Sequence, residues 1–326
     1  MSTPTQITEP DQGHAAPTPA KLAGKQRGDS VFAGLSRTAG LLILVILAAV
    51  ATFLLVQAAP ALAGGDDLPY GNTWLYALPF AFGTLWSSLL ALAFAVPVSI
   101  GIALFISHYA PRRLASLIGY VMDLLAAVPS VVFGLWGIYT VAPALLPAFE
   151  WLNANLGGLP VLGWFFGGTV SGTGRTILTA ALVLAIMVLP IITSITREVF
   201  LATPRLHEEA SLALGATKWE MIRQAVLPFA RSGIVSACML GLGRALGETM
   251  AVAMVLSPSK VVSLLLLTST NPNTIAANIA LNFPEAYGLG TNQLIATGLV
   301  LFVITLAVNM IARAVIARRA EFSGAN

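Results

Sequence analysis

Arg244 stands near the middle of an apolar stretch, residues 229–256, with Glu248 four positions later. An ionisable side chain inside a bilayer costs roughly 2.5 to 3.5 kcal/mol on insertion scales, so it faces a bundle interior or a water-filled path. The guanidinium offers a planar fork of N–H donors that suits a tetrahedral oxyanion better than a lysine point charge does. An anion pathway is therefore the first chemistry this spacing suggests. The competing reading is an internal Arg244 to Glu248 ion pair, one helical turn apart, that neutralises itself and pins helix packing. Gly243 and Gly247 form a small-xxx-small pair on an adjacent face, suited to close helix approach. Arg197, beside Glu198 at the end of another apolar stretch, is a further candidate for the substrate path, with snorkelling to headgroups as its alternative.

The elements that must position these residues are membrane helices. The 326-residue chain is 57% hydrophobic and 10% charged, far below the roughly 25% charged residues of soluble domains. Its mean hydropathy is +0.84. An all-α membrane protein with six spans is expected, since a crossing helix needs about 20 apolar residues. The spans fall near residues 38–62, 78–107, 114–141, 176–200, 229–256 and 290–316. Pro97, Pro129 and Pro190 lie inside them and read as kinks. Residues 1–36 are rich in Pro, Thr, Gln, Gly and charge and are expected to form a flexible cytoplasmic tail. The permease domain would cover residues 37–320, followed by a short cytoplasmic tail at 321–326.

Basic residues orient the spans. Lys21, Lys25, Arg27 and Arg37 precede the first, Arg112 and Arg113 follow the second, and Arg313, Arg318 and Arg319 close the sixth. Arg205, Lys218, Arg223 and Arg231 lie between the fourth and fifth. The opposite loops hold Arg175 and Lys260 against Asp66, Asp67, Glu150 and Glu285. The positive-inside rule puts both termini in the cytoplasm, with long outer loops at 143–175 and 257–288. Trp151 and Trp164 there suit interfacial anchoring.

The connection between the fourth and fifth spans, about residues 201–228, is the second informative feature. Amphipathic helical stretches flank Gly215, and a glycine there permits the left-handed cap that ends one helix and lets the next start at an angle. Ala213, Leu214, Ala216 and Trp219 would give this elbow an apolar knob ringed with charge, as in a helix docked in a partner's groove. An amphipathic helix lying on the inner leaflet is the alternative.

Other chemistries find little support. Cys238 is the only cysteine, which excludes an intrachain disulfide or a cysteine-based metal cluster. His108 and His207 have no clustered ligands, so no metal site is expected. The glycine-rich run at 167–176 lacks the spacing and lysine of a phosphate-cradling loop. Asp123 reads as structural, and nucleic acid is an unnecessary partner.

Two motifs carry a resemblance. Glu209-Ala210, then Gly215, then Leu227-Pro228 resembles the EAA loop of ABC importer permeases, with Ser211 where the second alanine often stands. Leu240-Gly-Leu-Gly-Arg244-Ala-Leu-Gly-Glu248-Thr-Met-Ala-Val252 resembles the phosphate-specific permeases of the PstC family, and the likeness extends over residues 74–317. It implies the type I ABC importer permease fold, with Glu209, Ala210 and Gly215 in a coupling helix seated on a cytoplasmic ATPase. Arg244 and Glu248 would be tied to movement of inorganic phosphate across the plasma membrane. The chain would be a transport subunit, not an enzyme, with no catalytic or metal residues and no cofactor of its own; ATP and Mg would bind the partner ATPase. Implied partners are the homologous permease PstA, two PstB ATPases and the phosphate-binding protein PstS. Permeases for molybdate or sulfate share the elbow and are the alternative within the class. A secondary transporter or channel, or a mainly phosphate-signalling membrane subunit, are the alternatives outside it.

Overall fold

The computed structural model describes residues 27–64 and 68–320, with side chains for 31–64 and 68–314. Residues 1–26 of the expected tail, Asp66, Asp67 and residues 321–326 lie outside the described residues. Every described element is helical or loop, and six helical segments are long and apolar enough to cross a membrane: Val31–Ala63, Thr73–Tyr109, Ser130–Leu156, Ile177–Leu201, Lys218–Gly247 and Leu289–Ala314.

Contacts divide the chain into two units, Met1–Thr52 and Phe53–Asn326. The first contains most of helix α1, Arg27–Ala63. The helix starts before the sequence-expected span, so residues 27–36 belong to it. Its side chains from Val31 to Val50 are all exposed, as suits an apolar helix whose solvent is lipid.

In the second unit, α2 (Thr73–Leu104) and α7 (Ile177–Leu201) form the centre. Small residues on one stripe of α2, including Ser87, Ala91, Ala95 and Ser99, are buried and let the two helices pack closely. The Ser99 hydroxyl donates to the Leu189 carbonyl at 3.2 Å. Val183, Leu184, Val188 and Ile192 of α7 lie in the main core. At the unit's N-terminal edge, Ala58 and Ala61 pack on Ala296, and the Asn292 amide donates to the Gln57 carbonyl at 2.6 Å.

The third span differs from the expected 114–141. Val128, forced out of the helical region by the proline after it, is extended, with ψ 128°. The chain therefore leaves α3 (Arg112–Ala127) at Pro129. The membrane-length segment is instead α4 (Ser130–Trp136), a π turn at Gly137–Val141 and α5 (Ala142–Leu156). At 16 residues, α3 is short for a crossing, none of its side chains is buried, and Asp123 rides on it outside any span. The expected outer loop at 143–175 is thus largely helix, through α5 and the single turn α6 (Gly163–Phe166).

After α7 come α8 (Arg205–Ala213), α9 (Lys218–Met221), a π turn at Ile222–Val226 and α10 (Leu227–Gly247). The fifth span also departs from expectation, because the helix stops at Gly247. Glu248 is extended, and α11 (Met250–Val255) is a separate short helix.

The segment after α11 is not a simple outer loop. Asn271, Asn273 and Thr274 are buried, and the Ile275 N–H donates to the Thr84 hydroxyl at 3.0 Å. Thr84 lies eleven residues into α2, about 16 Å along its axis at 1.5 Å per residue. A Cβ at Gly83 would collide with the Asn273 carbonyl. Non-helical backbone is thus folded into the bundle, where protein groups replace the water it would otherwise need. Helices α12 (Ile275–Asn282) and α13 (Leu289–Ala320) complete the chain.

Candidate functional site

The elbow forms as its residue types require. Gly215 has φ +86°. The Gly215 N–H donates to the Leu212 carbonyl at 2.9 Å and the Ala216 N–H to the Ser211 carbonyl at 3.3 Å. These two bonds are the Schellman pattern that satisfies the last carbonyls of α8. Thr217 then starts α9 with a capping box: its N–H donates to the Glu220 carboxylate at 2.8 Å, and the Glu220 N–H donates back to its hydroxyl at 3.3 Å.

Glu209 and Ala210 on α8 and Gly215 at its cap are all exposed. Beside them Leu214 is 90% exposed, and Leu206 and Trp219 are also exposed. The turn, held by a cap on either side, thus leaves a large apolar side chain bare.

The elbow is tied to the end of α2, a link with no sequence signature. His108 Nε2 lies 3.6 Å from a Glu208 carboxylate oxygen, and Lys218 Nζ sits 4.8 Å from the Tyr109 ring centroid. Both partners come from the π turn Phe105–Tyr109. Their separation of about 100 residues hides the contact from any local pattern.

Arg244 and Glu248 do not form the ion pair of the competing reading. Among the described residues the only ion pair is His108 with Glu208. The helix break rotates Glu248 away from Arg244, and the Glu248 carboxylate accepts the Ala251 N–H at 3.1 Å, capping α11. Arg175 holds the other end of α11: its Nη2 donates to the Met254 carbonyl at 2.9 Å and the Leu256 carbonyl at 3.1 Å. Glu248 is buried at 9% exposure. Arg244 is exposed in the last turn of α10 and lines a groove of about 580 Å³ with Ile191, Ser236, Gly243, Asn309 and Arg313.

Gly243 and Gly247 meet nothing within 4 Å in this chain. The close approach of α10 to α7 comes instead from Gly233 and Gly241, where a Cβ would lie 2.5 Å from Val199 and 2.7 Å from Ile192. Arg197 is not brought to the groove. It packs beside Gly119 of α3, where a Cβ would be 3.9 Å from its Nη1, and its Nε is buried without a hydrogen-bond partner. Among the described residues no group of three or more His, Cys, Asp or Glu could hold a metal ion.

Comparison with known proteins now gives this arrangement a context. Residues 95–321 match the family "Binding-protein-dependent transport system inner membrane component". The phosphate transport system permease protein PstC 2 of Mycobacterium bovis is 46% identical over 302 residues, 89% of this chain and 92% of that protein. The PstC of Mesorhizobium japonicum is 40% identical over 306 residues, 91% of this chain and 92% of that protein. Among solved structures, a bacterial ABC transporter that imports the acidic polysaccharide alginate matches with TM-score 0.60 at 15% identity, covering 90% of this chain and 96% of that one. The MetNI methionine ABC transporter matches with TM-score 0.51 at 17% identity, covering 74% of this chain and 96% of that one. At such identities the likeness concerns the fold alone, which is that of ABC importer permeases. With six membrane-length helices and this similarity along nearly its whole length, the chain belongs to the binding-protein-dependent transport inner membrane component family, as a multi-pass membrane protein of the PstC group.

Proposed function

We propose that the chain is the permease subunit of an ATP-driven importer of inorganic phosphate, that Arg244 is the residue the anion meets, and that the elbow at Glu209, Ala210 and Gly215 couples the path to a cytoplasmic ATPase. The observation that carries the reading is 46% identity to a phosphate permease over 89% of the chain. The exposed, unpaired guanidinium in a groove supports the site. In a narrow path it would replace part of the anion's hydration with charge-assisted hydrogen bonds.

The elbow's second helix, α9, and Arg244 belong to one continuous helical segment, Lys218–Gly247, which begins three residues after Gly215 and whose 30 residues span about 45 Å. A push on Leu214 or Gly215 by an ATPase would therefore reach Arg244 through a helix, while His108 and Tyr109 pass it to α2. Glu248 would act by fixing α11 beside the path and keeping the field around the anion weak enough for release. Gly243, bare beside Arg244, leaves room for the anion or for a helix of the second permease.

The partners in this reading are a homologous permease of the PstA kind, two PstB ATPases that bind ATP and Mg, and the binding protein PstS outside. Both termini would lie in the plasma membrane's cytoplasmic side. The chain would carry no ATPase site, and Arg197 would serve at most as a stepping point near the exit.

Uptake of labelled inorganic phosphate by the reconstituted complex tests the path, at matched membrane abundance, for Arg244→Lys, Arg244→Leu, Glu248→Leu and the double leucine variant. Arg244→Lys keeps the charge and loses the fork, so uptake should fall sharply with assembly intact. Rescue by the double variant would show a structural pair and sink the proposal. A guanidinium also suits other tetrahedral oxyanions, so competition by molybdate or sulfate equal to that by phosphate would move the substrate to them. A transport-dead variant that still represses phosphate-starvation responses would separate signalling from transport.

A further inference from the structure

We propose that Arg313 on α13 is a second anion contact, which with Arg244 and Asn309 makes a two-guanidinium site for a doubly charged oxyanion in the groove beside α10. The proposal rests on the reading that Arg244 meets the transported anion.

By its sequence position Arg313 belongs with the cations that close the last span, where the bland role is anchoring to headgroups. Its surroundings give it another. Arg313 lines the same groove as Arg244, together with Ile191, Ser236 and Asn309. Ile191 lies 14 residues from the start of α7 at Ile177 and 10 from its end at Leu201, about 21 Å and 15 Å along the axis. On the α7 side the groove thus reaches the middle of the most buried helix, so Arg313 faces a cleft between helices as well as the end of its own span.

Two guanidiniums sharing one groove repel each other, and neither has a carboxylate within 4 Å among the described residues, where the only ion pair is His108 with Glu208. The acidic residue nearest in sequence, Glu248, is occupied by the Ala251 N–H. The Ser236 hydroxyl donates to the Ser232 carbonyl at 3.0 Å, so its proton is committed. Asn309, one turn before Arg313 on the same face, is exposed and supplies a neutral amide donor.

A groove between membrane-length helices that holds two cations without carboxylate partners and an amide lacks only the anion. A dianionic tetrahedral oxyanion accepts from both forks at once, whereas a monoanion leaves one positive charge uncompensated. The rival occupant is a helix of the second permease that brings a carboxylate to Arg313.

Single cysteines decide between them. Arg313→Cys and, separately, Arg244→Cys are placed in a Cys238→Ala background of the assembled complex in proteoliposomes. The readouts are phosphate uptake and the rate of reaction with cationic and anionic thiosulfonates. Arg313→Cys should lower uptake by about tenfold or more, as expected for loss of a hydrogen bond to a charged group. The cationic reagent should restore part of that uptake and the anionic one none, and inorganic phosphate should slow labelling at both positions. Parent-like uptake by Arg313→Cys, or labelling of it that phosphate leaves unchanged while Arg244→Cys is protected, overturns the proposal and spares the Arg244 reading. Labelling blocked by assembly with the second permease regardless of phosphate also overturns it. Loss of phosphate protection at both positions removes the Arg244 reading as well.

Discussion

Replacing Gly215 changes one backbone angle and almost nothing else, because a Cβ there would meet no atom within 4 Å. The cost therefore comes from φ +86°, a conformation that disfavours ordinary L-residues by roughly 1 to 2 kcal/mol. Asparagine tolerates it better than alanine, and a β-branched side chain tolerates it worst. Gly215→Asn should be mild. Gly215→Ala should cost about 1 kcal/mol and Gly215→Val about 2 or more, which lowers the population of the formed elbow by about fivefold and thirtyfold relative to its alternatives. The membrane segments should stay inserted, since the elbow packs outside the main core. The assay is phosphate taken up per ATP hydrolysed in reconstituted vesicles, and uptake per ATP should fall in the order Gly, Asn, Ala, Val. If docking contact at Gly215 mattered instead of its backbone, the small alanine would be milder than the larger asparagine. That inverted order, or parent-like coupling by Gly215→Val, would refute the reasoning.

Glu248→Gln keeps an acceptor for the Ala251 N–H, whereas Glu248→Ala removes the cap of α11 and should cost about 1 kcal/mol locally; faster amide exchange over residues 250–255 in the alanine variant alone would confirm the capping role, and equal exchange in both would exclude it. Gly241→Ala forces a methyl to 2.7 Å from Ile192 and should destabilise the purified complex by about 1 to 3 kcal/mol, while Gly243→Ala meets nothing in this chain. Thermal unfolding compares them, and an equal loss for both would place the critical packing of Gly243 against the second permease. In a Cys238→Ala background, Lys260→Cys should react with an impermeant thiol reagent added outside intact cells and Lys218→Cys should not; labelling of the latter would reverse the orientation and move the elbow away from any cytoplasmic ATPase.

Hydropathy revealed the spans because burial in lipid leaves a long compositional trace, and residues 38–62, 176–200 and 290–316 were legible for that reason. It could not show where an apolar run changes backbone conformation. Pro129 in an apolar run suggests a kink inside one span, yet the extended Val128 before it ends α3 and moves the third crossing to Ser130–Leu156. The residues flanking Pro129 are largely apolar, although α3 carries Arg112, Arg113 and Asp123, so the choice between kink and break depended on packing as well. Gly134 and Gly137 decide it: added Cβ atoms there would press to 2.8 Å from Met254 and Val255, so α4 must lie against α11.

The same limit bears on the alternative reading of Arg244 and Glu248 as an ion pair. Four residues apart on an uninterrupted helix, they face each other, and an ion pair follows. Gly-Glu-Thr at 247–249 contains no proline to announce that the helix stops, yet Glu248 takes ψ 128° and turns to cap α11. The break leaves Arg244 without a carboxylate within 4 Å among the described residues, and Arg313, 69 positions later in the chain, lines the same groove. By contrast the elbow was legible to the level of a single dihedral, because Gly215 and the Thr217 to Glu220 capping box are local devices whose geometry is written in adjacent residues. The elbow is thus specified by short-range chemistry. The surroundings of Arg244 are specified by where helices stop, so if Arg244 meets the anion as proposed, a substitution that restored helix through Glu248 should bring the carboxylate beside Arg244 and lower phosphate uptake without touching either charge.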